Sequence, residues 1–252
     1  MSRPRIAVVI APGSNRDGEA ARAVQLAGGD AEVVPIGSPL DRFAGLILPG
    51  GFSYGDALGA GMRWALEVGD ELRAFAERGR AVLGICNGFQ VLVRAGLLPG
   101  DPGDGDGDGA AAGGAALEGR SVTLTDNAAG RFTCRWVALA PEAGARAGLA
   151  DVLPPVIACP VAHGEGRLAV RDEATLARLE AGGHVLFRYV EGTNPNGSVA
   201  DIAGLCDATG LVWGLMPHPE DHVTDLQNPF PDRPGRLGLA LFEAFVNRAR
   251  SI

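Results

Sequence analysis

Short apolar runs alternate with amphipathic stretches along the first part of the chain. The runs at 5–10 (RIAVVI) and 81–85 (AVLGI) are apolar almost throughout, which is typical of strands buried on both faces of a parallel sheet. The predicted strands span 5–10, 32–36, 45–48 and 81–85, and the predicted helices span 17–27 and 68–78. This alternation predicts an α/β fold in which helices flank a mostly parallel central sheet.

The rest of the chain is less regular and richer in strands. The predicted strands span 121–124, 131–139, 184–189 and 211–215, and the predicted helices span 172–180 and 237–250. We interpret this part as a β-rich excursion from the same sheet. The chain is therefore expected to form a single domain over residues 1–252.

An acidic, glycine-rich tract (PGDPGDGDGDGAAAGG) occupies residues 99–114. Because it carries nothing that could pack into a core, we predict a flexible surface insertion within the domain. A Ca²⁺ site is the alternative, since the aspartate spacing resembles that of an EF-hand loop. The terminal glutamate and the flanking helices of such a loop are missing, so the insertion is favoured.

Loops follow three of the predicted parallel strands, at 12–17, 49–56 and 86–90. In an open α/β sheet, ligands bind beyond the carboxyl ends of the strands. We expect these three loops to converge on one edge of the sheet.

Cys86 lies in the sequence GICNG, between the strand at 81–85 and a helical stretch that begins near Phe89. A strand, sharp turn and helix form the frame of a nucleophile elbow, and the flanking glycines leave space for a strained turn. The start of a helix also favours a thiolate. The alternative is a small buried apolar residue, the common fate of a lone cysteine. The glycines at 84 and 88 favour the nucleophile.

A thiol nucleophile needs a base, and His218 is the strongest of the four histidines. It lies in the sequence MPHPE, directly after the strand at 211–215. The prolines keep this segment extended, so Glu220 can point the same way as His218 and orient its imidazole. The sequence thus predicts a triad of Cys86, His218 and Glu220.

The remaining histidines have weaker claims to chemistry. His218 and His222 are four residues apart, which would suit zinc on a helix, but the prolines disfavour a helix and the HExxH order is absent. We therefore expect no metal site and interpret His222 as a solvated loop residue. His184 precedes an apolar strand and is interpreted as structural.

Composition and charge narrow the possible chemistry. All 22 basic residues are arginine, so mechanisms that need a lysine, such as a P-loop or a Schiff base, cannot operate in this chain unaided. A net charge of −8 opposes binding to nucleic acid or anionic membranes. Four cysteines without a CxxC pair, and no apolar run of about 18 residues, favour a reduced cytoplasmic protein.

Several motifs together resemble those of one protein family. The motifs are PGGFSYGD (49–56), GICNGFQ (84–90), AGLLPG (95–100), PVAHGEGR (160–167), NPNGS (194–198), DIAG (201–204) and GLMPHPE (214–220). They resemble the glutaminase component of phosphoribosylformylglycinamidine synthase, a family of class I (triad-type) glutamine amidotransferases. The resemblance covers most of the chain in order and implies a flavodoxin-like fold.

The resemblance implies roles for individual residues. Cys86 would attack the side-chain amide of glutamine, with His218 as the base and Glu220 holding its imidazole. The glycine loop at Gly50 and Gly51 would supply oxyanion donors, because glycines let backbone N–H groups approach a ligand.

Further residues are implied with weaker support from the motifs. Asn87 would be the second oxyanion donor, and Gln90 would contact glutamine or face a partner. His163 and Glu165 would line the glutamine pocket or face a partner, although His163 could equally be structural. Ala129 departs from the family, which often has a serine there, and the contact of that hydroxyl is in doubt.

The resemblance also implies partners. The chain ends about where the glutaminase domain ends, so ATP and Mg²⁺ are expected on a separate synthetase subunit, with a small accessory subunit, and no cofactor is expected in this chain. Two other functions remain open: a cysteine hydrolase or glyoxalase-like protein of the same flavodoxin-like superfamily, and a non-catalytic scaffold subunit.

Overall fold

The structure, a computed structural model, describes residues 3–100, 121–230, 232 and 234–251. The helices are α1 (Asp17–Leu26), α2 (Met62–Glu77), α3 (Asn87–Arg94), α4 (Glu173–Ala181) and α5 (Leu239–Arg250). The strands are β1 (Arg5–Ile10), β2 (Asp30–Pro35), β3 (Gly45–Leu48), β4 (Ala81–Ile85), β5 (Val122–Thr125), β6 (Thr133–Pro141), β7 (Ile157–His163), β8 (Arg167–Val170), β9 (Val185–Tyr189), β10 (Ile202–Cys206) and β11 (Val212–Leu215). From position 101 onward the acidic tract lies outside the described residues. The flexible surface insertion expected there therefore stays a prediction.

Nine of these strands form one sheet, in the order β2-β1-β3-β4-β11-β10-β9-β6-β7. The first five strands pair in parallel and form what we call the parallel half. The other four, the antiparallel half, continue the sheet through antiparallel pairings. The parallel half has the flavodoxin-like order, which reverses direction between β1 and β3. The α/β class is confirmed, and the antiparallel half is the expected β-rich excursion.

Helices cover both faces of the parallel half. Successive residues of a strand point to opposite faces, and in β11 the ring of Trp213 contacts Phe245 of α5, while Gly214 lies against Phe89 of α3. Helices α3 and α5 therefore lie on opposite faces. Helix α1 packs beside α5, and α2 packs beside α3. One apolar core links these layers with the antiparallel half. The extent of the single domain, residues 1–252, stays a prediction.

The strands buried on both faces lie where the sequence predicts them, since the bounds of β1, β3 and β4 match the predicted ranges. Helix α2 begins at Met62 rather than 68, because Trp64 and Ala65 already face the core. Strands β7, β8 and β10 were not expected. In the described part of the chain, no helix is long and apolar enough to cross a membrane.

Candidate active site

Cys86 occupies the sharp turn between β4 and α3. Its backbone has φ 51° and ψ −105°, a strained conformation for a residue with a side chain. Gly88 allows the close approach of α3, because a Cβ there would lie 2.0 Å from the carbonyl oxygen of Leu48. The Cys86 sulfur is 3.8 Å from the carbonyl oxygen of Ala162. This geometry is that of a nucleophile elbow.

His218 and Glu220 follow β11, the neighbour of β4 in the sheet. His218 Nδ1 lies 2.7 Å from Glu220 Oε1, and both side chains are buried. Burial alone would lower the pKa of His218, but the Glu220 carboxylate and the Cys86 sulfur raise it well above its usual value. Glu220 engages Nδ1, which leaves Nε2 as the ring nitrogen for the thiol, and a side-chain hydrogen bond with Cys86 is among the causes of the raised pKa.

The glycine-rich loop after β3 lies against the same groups. A Cβ on Gly50 would be 2.7 Å from His218 Cε1, so only glycine leaves room for the imidazole. Gly51 pairs with Ser14 of the loop after β1. The backbone N–H of Ser53 donates to the Asn87 side chain at 3.2 Å. The loops at 12–17, 49–56 and 86–90 thus converge, as the strand pattern predicts.

A cavity of about 120 Å³ opens beside the Cys86 thiol. The residues that line it are Gly51, Phe52, Asp56, Ala60, Cys86, Gln90, Phe132, Ala162, His163, Gly164 and Glu165. Its size suits one small metabolite rather than a larger ligand, since drug-sized ligands need pockets of at least about 300 Å³. Gln90 ties one wall in place, because its Nε2 donates to the Glu165 carbonyl at 2.6 Å.

His163 is built into the cavity wall. Its Nδ1 lies 3.0 Å from Asn127 Oδ1, and its Nε2 lies 3.5 Å from Asn196 Nδ2. Burial, followed by the nearby His218, lowers the pKa of His163 to about 4, so the ring is neutral at pH 7. Because both nitrogens have amide neighbours, His163 is a poorer candidate than His218 for the base.

Asn127 is a buried residue that the sequence reasoning did not single out. Its Nδ2 donates to the carbonyl oxygens of His163 and Arg131, and its Oδ1 accepts from the Gly166 N–H at 3.1 Å. Ala129, at the departure from the family, lies two residues away and is exposed. The only signal for Asn127 in the sequence was its place in the segment 127–132 (NAAGRF), which contains Ala129, the departure from the family.

His222 is not a solvated loop residue, and that interpretation was wrong. The side chain is fully buried, its Nδ1 lies 2.5 Å from the Ala158 carbonyl oxygen, and its ring meets that of Trp136 edge-on at 5.1 Å. Strand β7, which carries Ala158, covers it and was missing from the predicted elements. His184 is structural, as expected, with Nδ1 3.0 Å from the Cys206 carbonyl oxygen.

No cluster of three or more His, Cys, Asp or Glu side chains that could hold a metal ion occurs within the described ranges. His218 and His222 do not face one site, since one bonds to Glu220 and the other to Ala158.

The chain is similar to proteins of known family. Residues 3–247 match the family described as CobB/CobQ-like glutamine amidotransferase domain. The phosphoribosylformylglycinamidine synthase subunit PurQ of Treponema denticola is 41% identical, over 97% of this chain and 98% of its own length. The subunit of the same name from Frankia casuarinae is 43% identical, over 98% of this chain and 94% of its own length.

Solved structures agree with this result. A chain in the structure of PurLQS from Thermotoga maritima is 34% identical and superposes with a TM-score of 0.76, over 97% of this chain and 98% of that one. A putative GMP synthase subunit from Thermoplasma acidophilum is 16% identical, covers 100% of this chain and 96% of its own, and has a TM-score of 0.57. The second likeness concerns the fold alone.

Proposed function

Because the chain belongs to the PurQ family of glutamine amidotransferases, we propose that it hydrolyses glutamine to glutamate and ammonia as the glutaminase component of phosphoribosylformylglycinamidine synthase, in purine biosynthesis. The observation that carries this proposal is the convergence of Cys86, His218 and Glu220 beside one small cavity. The cysteine hydrolase and scaffold alternatives are not favoured, since relatives named PurQ match nearly the whole chain.

In the proposed mechanism, Cys86 is the nucleophile. Its proton passes to His218 Nε2, and the sulfur attacks the side-chain amide carbon of glutamine. The carbon–nitrogen bond then breaks, the proton on His218 goes to the departing ammonia, and a thioester remains. A water molecule, deprotonated by His218, then attacks the thioester carbon. The carbon–sulfur bond breaks, glutamate leaves, and the proton on His218 returns to the Cys86 sulfur. Glu220 stabilises the protonated imidazole through its 2.7 Å contact with Nδ1.

The oxyanion of each tetrahedral intermediate needs donors close to Cys86. We assign this role to the backbone N–H groups of Gly51 and Asn87. Gly51 lines the cavity together with Cys86, and Asn87 is the first residue of α3, where N–H groups have no partner within the helix. Gly50 contributes by leaving room for the His218 ring.

The remaining parts of the proposal concern partners and location. Ammonia would pass to a separate synthetase subunit that binds ATP and Mg²⁺, with a small accessory subunit, and this chain would hold no cofactor. The similarity to one chain of the PurLQS structure from Thermotoga maritima supports such an assembly. A cytoplasmic location is proposed because all four cysteines, which lie in described segments, are free thiols.

The test is Cys86→Ala in the complex reconstituted with the synthetase and accessory subunits. Glutamine-dependent product formation should fall to background, while synthesis with added ammonium salts should continue. Cys134→Ala, at the exposed cysteine, is the matched control and should behave like wild type. Unchanged use of glutamine by Cys86→Ala would exclude the proposal and indicate a scaffold subunit.

A further inference from the structure

The Glu220 carboxylate has little to hold it apart from the histidine that it orients. Its Oε1 lies 2.7 Å from His218 Nδ1. Its Oε2 is buried and has no hydrogen-bond partner among the described residues. The position of the carboxylate therefore depends on the backbone of the segment 218–222, which forms a 3-10 turn after β11.

Backbone hydrogen bonds hold the two ends of this segment. The N–H of His218 donates to the Pro160 carbonyl oxygen of β7 at 2.8 Å. The N–H of Gly238 donates to the His222 carbonyl oxygen at 3.0 Å. These bonds fix the residues before and after Glu220, and neither of them acts on Glu220 itself.

Gln227 supplies a bond to the backbone of Glu220. Its Nε2 donates to the Glu220 carbonyl oxygen at 3.2 Å. Its Oε1 accepts from the Val223 N–H at 2.9 Å and from the Thr224 N–H at 3.0 Å. Because a backbone N–H can only donate, these two bonds require the amide oxygen on their side and direct the amide nitrogen at Glu220. The amide therefore joins the residue that carries the carboxylate to the chain that follows the turn.

The side chain of Gln227 is itself fixed by a capping box. Gln227 ends a 3-10 turn (Asp225–Gln227), in which the Thr224 side chain bonds to the Gln227 backbone and the Gln227 side chain bonds to the Thr224 backbone. A capping box uses only the side-chain oxygen at this position, so a glutamate would close it equally well. The glutamine adds a donor, and that donor reaches Glu220.

We propose that Gln227 is a positioning residue for the triad, which holds the backbone of Glu220 so that the carboxylate stays in line with His218 Nδ1. The inference rests on the proposed glutaminase function and adds to it a residue that is not among the described residues that line the cavity. Because Gln227 acts through Glu220, it affects the transfer of the proton on His218 rather than the binding of glutamine.

The test combines Gln227→Met with Glu220→Gln in the reconstituted complex. Methionine has a similar length but lacks both polar atoms of the amide. Gln227→Met alone should lower kcat for glutamine about 10-fold and leave KM within about twofold, since a small displacement of a positioned group slows the reaction without weakening binding. In the Glu220→Gln background, the same change should alter kcat by less than about twofold, because no carboxylate is left to position.

A second measurement does not depend on turnover. The Nδ1 proton of His218 gives a low-field NMR resonance in the isolated chain when it is held in a charge-assisted hydrogen bond to Glu220. Gln227→Met should move this resonance to higher field.

Asp207→Ala is the matched control, because it removes a side chain that bonds to backbone at the other end of β11. Asp207 Oδ1 accepts from the N–H groups of Leu211 and Val212, each at 3.0 Å. This variant should lower the free energy of unfolding but leave kcat, KM and the His218 resonance as in wild type.

An unchanged kcat in Gln227→Met would overturn the positioning role, and so would an equal fall in the wild-type and Glu220→Gln backgrounds. A fall of the same size in Asp207→Ala would also overturn it, since the effect would then follow stability alone. If the wild-type complex did not hydrolyse glutamine, the glutaminase function itself would fail. The His218 resonance would still show whether Gln227 keeps the pair aligned.

Discussion

Cys86, His218 and the Gly50–Gly51 pair all follow strands of the parallel half, whereas His163 and Glu165 are carried by the antiparallel half. In the parallel half, each group is placed by the end of one buried strand. In the antiparallel half, the cavity wall is placed by side-chain amides, chiefly those of Asn127, Asn196 and Gln90. The position of the reacting groups therefore depends on topology, whereas that of the wall depends on a buried polar network.

The largest effect is expected from Glu220→Gln, which changes the parallel half alone. The amide keeps the shape of the side chain but no longer stabilises the protonated His218. We expect kcat for glutamine to fall about 10²- to 10⁴-fold with little change in KM. Steady-state kinetics of the reconstituted complex would measure this. Retention of more than half of the wild-type kcat would show that the carboxylate has no part in the reaction.

The same variant has a consequence for stability that depends on pH. Glu220 raises the pKa of folded His218 above the unfolded value of about 6.5. The stability from this pair is thus fully present below pH 6.5 and is lost as pH rises through the folded pKa. The difference in unfolding free energy between wild type and Glu220→Gln should be larger at pH 6 than at high pH.

The next largest effect is expected from Gly88→Ala, which tests whether the elbow depends on the close packing of α3 against β3. The added methyl group would lie 2.0 Å from the Leu48 carbonyl oxygen, so β3 and α3 must separate. We expect a loss of about 3 kcal/mol or more in urea unfolding. Gly18→Ala is the matched control, because a Cβ there meets no atom within 4 Å and alanine favours helix α1. Equal stability of the two variants would contradict the close packing.

Asn127→Ala tests the antiparallel half in the same way. Removing the amide leaves the Gly166 N–H and the His163 carbonyl oxygen without this partner, and we expect a loss of about 2 kcal/mol. The KM for glutamine should rise, while iodoacetamide should still modify Cys86. Ala129→Ser, at the exposed neighbour, should change stability by less than about 0.5 kcal/mol. A larger loss from Ala129→Ser than from Asn127→Ala would reverse this interpretation.

The smallest effect concerns the charge of His163. The pKa of His163 is about 4 in the folded protein and about 6.5 in the unfolded chain. At a pH between these two values, His163 binds a proton in the unfolded chain but not in the folded protein. The free energy of unfolding should therefore fall by about 1 kcal/mol as the pH is lowered from 6 to 5, because of this residue. Urea unfolding of His163→Asn over the same range should show a shallower dependence. If the unfolding free energies of wild type and His163→Asn depended equally on pH, His163 would not be buried in its neutral form.

The strands buried on both faces could be predicted closely, because a run such as 81–85 is apolar regardless of what surrounds it. The triad followed from the loops after such strands. Strand β7 was missed because its burial alternates irregularly and includes a proline. The error at His222 has the same cause, since strands from distant parts of the chain bury it.

Asp56 ends the motif PGGFSYGD and the predicted loop at 49–56, but nothing in the sequence marked its side chain as part of the cavity wall. Its placement follows from a left-handed turn, and Glu165, which also lines the cavity, lies more than a hundred residues away. Likewise, the bonds of Asn127 reach residues 163 and 166, so no pattern in the segment 127–132 could reveal them. Contacts of this kind depend on how the two halves pack, which one sequence does not specify by its periodicity.

Gln90 links the first turn of α3 to the segment that carries Glu165, and this link limits how the cavity wall can move. The backbone N–H of Gln90 donates to the Cys86 carbonyl oxygen at 3.1 Å, and its side-chain Nε2 donates to the Glu165 carbonyl oxygen at 2.6 Å. The wall cannot open without breaking this link or moving the first turn of α3. We therefore expect the amides of residues 163–166 and of α3 to exchange with solvent as one cooperative unit, and to separate into two in Gln90→Ala.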